Sequence, residues 1–348
     1  MSKLFVCEKH SQAQSFQFLL KEGDGIILCP SISSYKFKNA STLSFSGLPY
    51  SDLEPEYTNT SSIEQASEQR ESMYSRFFTA DTYIDHPVLS AFYHAKIKTA
   101  NPFSTAVAYS DFCDFLNEFD EIVYACDPDH TGVRGFDFLF GKYYGIKELA
   151  HFATQYHMTI TACMLTGGIS SKCISKAVEN RSCFFESTDI QRMRDTYLKK
   201  DFFDYNYNMN SILLLNKAYH ITCGQFPNPV LTRNYIQTLF LIHEYSADIN
   251  RVLHRMDQAD IGTPASRNKI IINLTINGLV CESEGCYITT ERGNSFILAL
   301  HRKMNDPHLS ERLMHDYTEL TVNEFKAKYS KYLSSAFGKQ KRHINKVQ

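Results

Sequence analysis

Short apolar runs of strand type, each handed on to a segment of helical character, constrain this chain more than any other feature. "KLFVCEK" is followed by "SQAQSFQFLLKEGDG" and then by "GIILC"; later "EIVYACD" leads into "GFDFLFGKYYGI" and "MTITACML". Strands alternating with helices argue for an α/β fold with a parallel sheet and helices on both faces, whose ligands gather at the carboxyl ends of the strands. In the first helical segment Ser11 is a candidate N-cap, Ala13, Phe16 and Leu20 fall on one face, and Gly23 and Gly25 end the helix. "SDFCDFLNEFD" reads as a further helix entering "EIVYACD". From about residue 30 to 100 the pattern weakens, and "NTSSIEQASEQRESMYSRFF" is polar and rich in Ser and Glu, so this stretch is expected to be an irregular insertion.

The strand Ile122–Cys126 delivers Asp127 and Asp129 at its carboxyl end, and Glu8 ends the first strand. Two carboxylates one residue apart, with a third from a neighbouring strand, suit Mg²⁺, which takes oxygen ligands and keeps several waters. Asp-Pro-Asp by itself also makes an ordinary turn. The chain is long enough, at 348 residues, for two domains, and a formal charge of -2 gives no global pull toward a polyanion, so any nucleic-acid surface must come from local clustering. The ten cysteines form no Cys-x-x-Cys pair, and Cys281 with Cys286 lacks a second pair, so reduced thiols and no zinc are expected. No nucleotide cofactor is expected either. No run approaches roughly 18 uninterrupted apolar residues, and "MSKLFVCEKHSQAQ" has no long apolar core, which together predict a cytoplasmic, nucleoid-associated chain without membrane contact.

Past "SSKCISKAVENR" the sequence turns helical, as in "DIQRMRDTYLKKDFF", "SILLLNKAYHI" and "YIQTLFLIHEYSADINRVLHRM". "INRVLHRMDQADIGTPASRNKIIINLTINGLV" reads as helix, tight Gly-Thr-Pro break and second helix, and "LVCESEGCYITTERG" as a two-stranded wing, which suggests a winged helix-turn-helix. From Lys326 on there are seven Lys/Arg and no acid, interleaved with Tyr329, Tyr332 and Phe337. Three regions are expected: 1–165, 166–325 as a helical and winged-helix DNA-binding part, and a basic tail 326–348.

Taken together, "KLFVCEKHSQAQSFQFLL" and "EIVYACDPDHTGVRGFDFL" resemble the Toprim domain of type IA DNA topoisomerases, with its strand ending in Glu-Lys and later strand ending in Asp-Pro-Asp-Arg-Glu-Gly-Glu. "LTGGISSKCISKAVENR" is similar to the segment leaving Toprim, and "LTRNYIQTLFLIHEYSADI" to the Gly-Arg-Val-Gln-Thr-Pro-Thr-Leu helix. "ADIGTPASRNKIIINLTINGLV" with "YITTERG" resembles the Gly-Ile-Gly-Arg-Pro-Ser-Thr-Tyr helix and its wing, in the same order along the chain. The resemblance implies that Glu8 is the acid near the scissile phosphate, that Lys9 contacts phosphate, that Asp127 and Asp129 bind metal, and that Arg233 lies along single-stranded DNA. Tyr235, beside Arg233, is expected to pack or to stack on a base, and Tyr235, Arg267 and Lys269 are taken as DNA-binding candidates.

The departures from the family are specific. Thr131 replaces the third metal acid, Val133 the following glutamate, His130 the usual arginine, and Thr263 the arginine of Gly-Arg-Pro. The arch carrying the attacking tyrosine is missing: Ile249 to Ile261 spans its place, and no Tyr-x-Arg-Thr-Asp/Glu-Ser pattern occurs among the 21 tyrosines. Losing a carboxylate removes both a ligand and a charge, so Mg²⁺ binding should be weak. The expected function is a single-stranded or branched DNA-binding protein without cleavage, accessory to a DNA-processing enzyme. The alternative is a metal-dependent topoisomerase or Toprim-type nuclease that uses a tyrosine in trans or an activated water.

Overall fold

The structure, a computed structural model, describes residues 2–28, 88–89, 92–94, 105–106, 116–141, 146–224 and 232–347. The insertion expected at about 30–100 lies outside these residues except for two short strands, as does the helix expected at 110–120 apart from its last residues.

Two compact units are present, and among described residues the change from one to the other falls between Tyr197 and Leu198. The first contains a six-stranded sheet. Its members are β1 (Lys3–Cys7), β2 (Gly25–Leu28), β4 (Phe92–His94), β6 (Glu121–Tyr124), β7 (Thr159–Ala162) and β8 (Ser182–Cys183), in the order β4-β2-β1-β6-β7-β8. The four central strands are parallel and the two edges antiparallel. β3 (Val88–Leu89) and β5 (Thr105–Ala106) form a separate antiparallel pair.

Side-chain alternation explains the layering. Phe5, Cys7, Val123 and Ala125 point to one face and pack with Ala13 and Phe16 of α1 (His10–Phe16) and Ile174 of α4 (Ser171–Glu179). On the other face Tyr124 meets Phe136 of α2 (His130–Gly141) edge-on at 5.5 Å, and α3 (Ile146–Gln155) packs beside α2. The mixed α/β expectation is met, with helices on both faces.

Several local expectations are corrected. Lys9, in extended conformation, is the N-cap of α1 instead of Ser11. The helix stops at Phe16 with a 3₁₀ turn Gln17–Leu19, and Gly25 begins β2 rather than closing a helix. The first unit runs past 165, because α4 packs on α1 and β8 extends the sheet from β7. α5 (Thr188–Asn210) begins in this unit. There Arg194 makes a two-point bond to the buried Asp137 of α2, Nε to Oδ2 at 2.7 Å and the second amine to Oδ1 at 3.0 Å, and Tyr197 donates to Oδ2 at 2.7 Å.

The second unit is mainly helical. A π turn (Ser211–Leu215) continues α5 into α6 (Asn216–Cys223), and α7 (Arg233–Glu244), α8 (Ile249–Gln258) and α9 (Pro264–Ile276) follow. After α9 comes a hairpin, β9 (Val280–Ser283) with β10 (Cys286–Thr289). Its turn residues Glu284 and Gly285 both have positive φ, 53° and 76°, the pair of left-handed conformations that a two-residue hairpin turn needs. α10 (Glu291–Ala299), α11 (Leu309–Glu319) and α12 (Val322–Val347) complete the unit. The segment expected as a basic tail is therefore most of a 26-residue helix. Phe325, Tyr329, Leu333, Phe337 and Ile344 form its buried stripe, the three-to-four spacing that an amphipathic helix presents to a core. Among the described residues no helix is long and apolar enough to cross a membrane.

Candidate functional site

Because β1 and β6 are parallel neighbours, with Val6 opposite Tyr124, their carboxyl ends open side by side. Glu8, Lys9, Asp127 and Asp129 follow those ends, so the four residues singled out from sequence do meet. Tightness at the β6 end has an identifiable cause: a side chain at Gly132 would put Cβ 2.3 Å from the Asp127 carbonyl oxygen and 2.7 Å from the Tyr124 hydroxyl. Only glycine lets α2 start this close to the strand, and Tyr124 secures the corner by donating to the Asp127 carbonyl at 2.5 Å.

Each charged group has a defined occupation. Lys9 Nζ donates to Asp127 Oδ2, and Gln12 Nε2 donates to Asp127 Oδ1. The same Gln12 accepts through Oε1 from the backbone N–H groups of Glu8 and Lys9, each at 3.0 Å. One neutral amide thus ties the start of α1 to the acid of the neighbouring strand. Asp129 Oδ1 accepts from the backbone of Thr131 at 2.8 Å and of Gly132 at 2.9 Å, an N-cap that satisfies two of the four open donors of α2.

Glu8 is half occupied: the Asp127 backbone hydrogen-bonds to its carboxylate. Its Oε2 is buried without a hydrogen-bond partner. Burial pushes the Glu8 carboxyl above its ordinary range, Lys9 pulls it back, and Asp127 and Asp129 add to the rise. The Lys9 ammonium is held above its usual value, first by its hydrogen bond to Asp127.

As arranged, these residues offer Mg²⁺ a depleted set of oxygens. Both Asp127 oxygens are taken, one by a cation; one Asp129 oxygen caps a helix; Thr131 is exposed and uncharged; Val133 is fully buried. Among the described residues no group of three or more His, Cys, Asp or Glu is disposed to hold a metal ion. Among the described atoms of this site, the orphaned Glu8 oxygen is the one that asks for a further partner.

In the second unit α8, the turn Ala259–Thr263 and α9 form two helices joined by a tight break, with the hairpin after them. Arg233 begins α7, half-buried, with its guanidinium 5.9 Å from the centre of the Phe203 ring. Lys269 is exposed on α9. Two expectations need correction. Tyr235 lies in the core at 9 % exposure, its hydroxyl bonded by Asn273, so its ring has no face for a base. Arg267 is also buried: Nε donates to the Ile261 carbonyl at 3.2 Å and a terminal amine pairs with Asp257 at 2.7 Å, which clamps the turn between α8 and α9. Sequence reasoning passed over Gln12. The signal was present, a long polar acceptor three residues after a cap, the spacing at which a side chain returns to the cap backbone.

No family model matches the chain, and no curated protein matches its sequence.

Proposed function

We propose that this chain is a single-stranded or branched DNA-binding protein of Toprim and winged-helix architecture, derived from a type IA topoisomerase and unable to cut. One observation carries the loss of cutting: the Lys9 ammonium and the Gln12 amide occupy the Asp127 carboxylate from both sides, where a cleaving site would offer it to a cation. Strand cleavage needs an in-line nucleophile and charge stabilisation around the transferring phosphoryl oxygens. Here Asp127 is held by Lys9 and Gln12 and Asp129 caps its own helix, and no tyrosine motif of the family occurs in the sequence. The helix, turn, helix and hairpin of the second unit support the binding half, with Arg233 and Lys269 as phosphate contacts. Binding to DNA-processing enzymes is part of the same proposal.

The test is an incubation of the whole chain with negatively supercoiled plasmid and with labelled single strands, with Mg²⁺, with Mn²⁺ and with chelator. Retarded single strands without relaxation or nicking are expected. Metal-dependent relaxation that disappears in Asp127→Asn, or a covalent adduct with an oligonucleotide end on a denaturing gel, would establish the enzymatic alternative instead.

A further inference from the structure

α12 buries one stripe and carries Lys339, Arg342 and Lys346 on another, at three- and four-residue steps. At 1.5 Å per residue these span about 10 Å along the helix. The segment joining α10 to α11 adds to them. Gln340, fully buried, accepts from the His301 backbone at 2.6 Å and donates to the Ala299 carbonyl at 2.9 Å, which pins this segment against α12. A 3₁₀ turn, Arg302–Met304, follows, with Met304 inward. Lys303 Nζ reaches Ser335 of α12 at 2.9 Å, and the His301 and His343 rings stand 6.0 Å apart. Folding thus brings Arg302 and Lys303 onto the helix side that already bears Lys339 and Arg342.

We infer that Arg302, Lys303, Lys339 and Arg342 form a docking surface for the phosphodiester backbone of a nucleic acid. The inference rests on the nucleic-acid reading above but uses none of its residues. Among the described residues none of these four cations is paired with a carboxylate, in a chain whose formal charge is -2. Their crowding shows in charge: Lys303 first, then desolvation, Arg302 and Arg342 hold the Lys339 ammonium below its usual range, and after burial His343, Lys339, Arg302 and Lys303 do the same to His301. Like charges gathered on one exposed face destabilise the free chain, and a polyanion relieves them while releasing its counterions. An anionic membrane would also supply phosphates, but it would need an apolar face, and Leu298 is the one large exposed hydrophobic side chain of this segment among the described residues.

The experiment is an anisotropy titration of a labelled oligothymidylate and of a duplex of equal length, over a series of salt concentrations. The full chain is compared with Arg302→Gln/Lys303→Gln/Lys339→Gln/Arg342→Gln, with anionic and neutral phospholipid vesicles as further arms. At roughly 0.7 to 0.9 per phosphate contact, the salt slope should fall by about 3 in the variant, with a loss of affinity of at least tenfold at low salt and no loss of thermal stability. If the unaltered chain binds DNA and the variant keeps its slope, the surface assignment is wrong while the DNA-binding reading stands. If the unaltered chain binds neither oligonucleotide, both are wrong, and capture by anionic vesicles alone would make this a lipid surface.

Discussion

Replacing Lys9 by methionine should turn the strand-end acids into a better divalent-cation site. The ammonium bonds directly to Asp127, so a metal ion on that carboxylate would lie about 4 Å from it. A +2 and a +1 charge at this separation repel by about 2 kcal/mol even with water-like screening, and by several-fold more at a protein surface. Lys9 is 54 % exposed and Asp127 29 %, so the lower figure applies. It corresponds to about 30-fold in affinity. Removing the lysine should cost the fold little, within about 1 kcal/mol, because pairs this exposed contribute little. Titration with Mn²⁺ followed by water-proton relaxation reads the site directly. Lys9→Met should bind at least tenfold more tightly than the unaltered chain, and Lys9→Met/Asp127→Asn should lose the gain. Equal affinity in all three would refute the claim that Lys9 stands in for a cation.

Gly132→Ala forces Cβ against a backbone oxygen and the Tyr124 hydroxyl, so it should destabilise the first unit by about 3 kcal/mol or more, a fall of roughly 6–12 °C in its melting temperature by calorimetry. Arg194→Met leaves the buried Asp137 carboxylate uncompensated and should cost about 3–5 kcal/mol in urea denaturation, whereas Arg194→Met/Asp137→Leu should recover most of it. Glu121 is opposed by burial but held below its ordinary 4.5 by Arg181 and Thr161. A depressed carboxyl contributes stability above 4.5 that is lost as pH falls below it. The stability gap between the unaltered chain and Arg181→Met should therefore be full at pH 6 and shrink steadily below pH 4.5; a gap independent of pH would rule out this source.

The strands, their parallel pairing and the meeting of Glu8, Lys9, Asp127 and Asp129 were legible because β-branched runs fix a strand and right-handed crossovers fix which ends face alike. What each acid does at that meeting was not legible. Whether Asp127 faces a cation from solvent or from its own chain depends on the neutral amide of Gln12 and the ammonium of Lys9, flexible side chains whose reach no periodicity encodes. Tyr235 and Arg267 were misplaced for a related reason: an aromatic and an arginine on a helix carry the same letters whether they line a groove or close a turn. The terminal helix was hidden by its charge. Seven cations made it look like a tail, while Phe325, Tyr329, Leu333 and Phe337 kept helical spacing beneath them.

Val133 has a consequence for the history open to this sequence. At the exposed Thr131 a glutamate would keep its charge in solvent. At Val133 it would enter a fully buried position, and an ionised carboxylate there would cost several kcal/mol unless it were paired. Packing therefore makes the two positions unequal: an acid can be set at the first by one replacement, whereas at the second it has to arrive together with a partner for its charge.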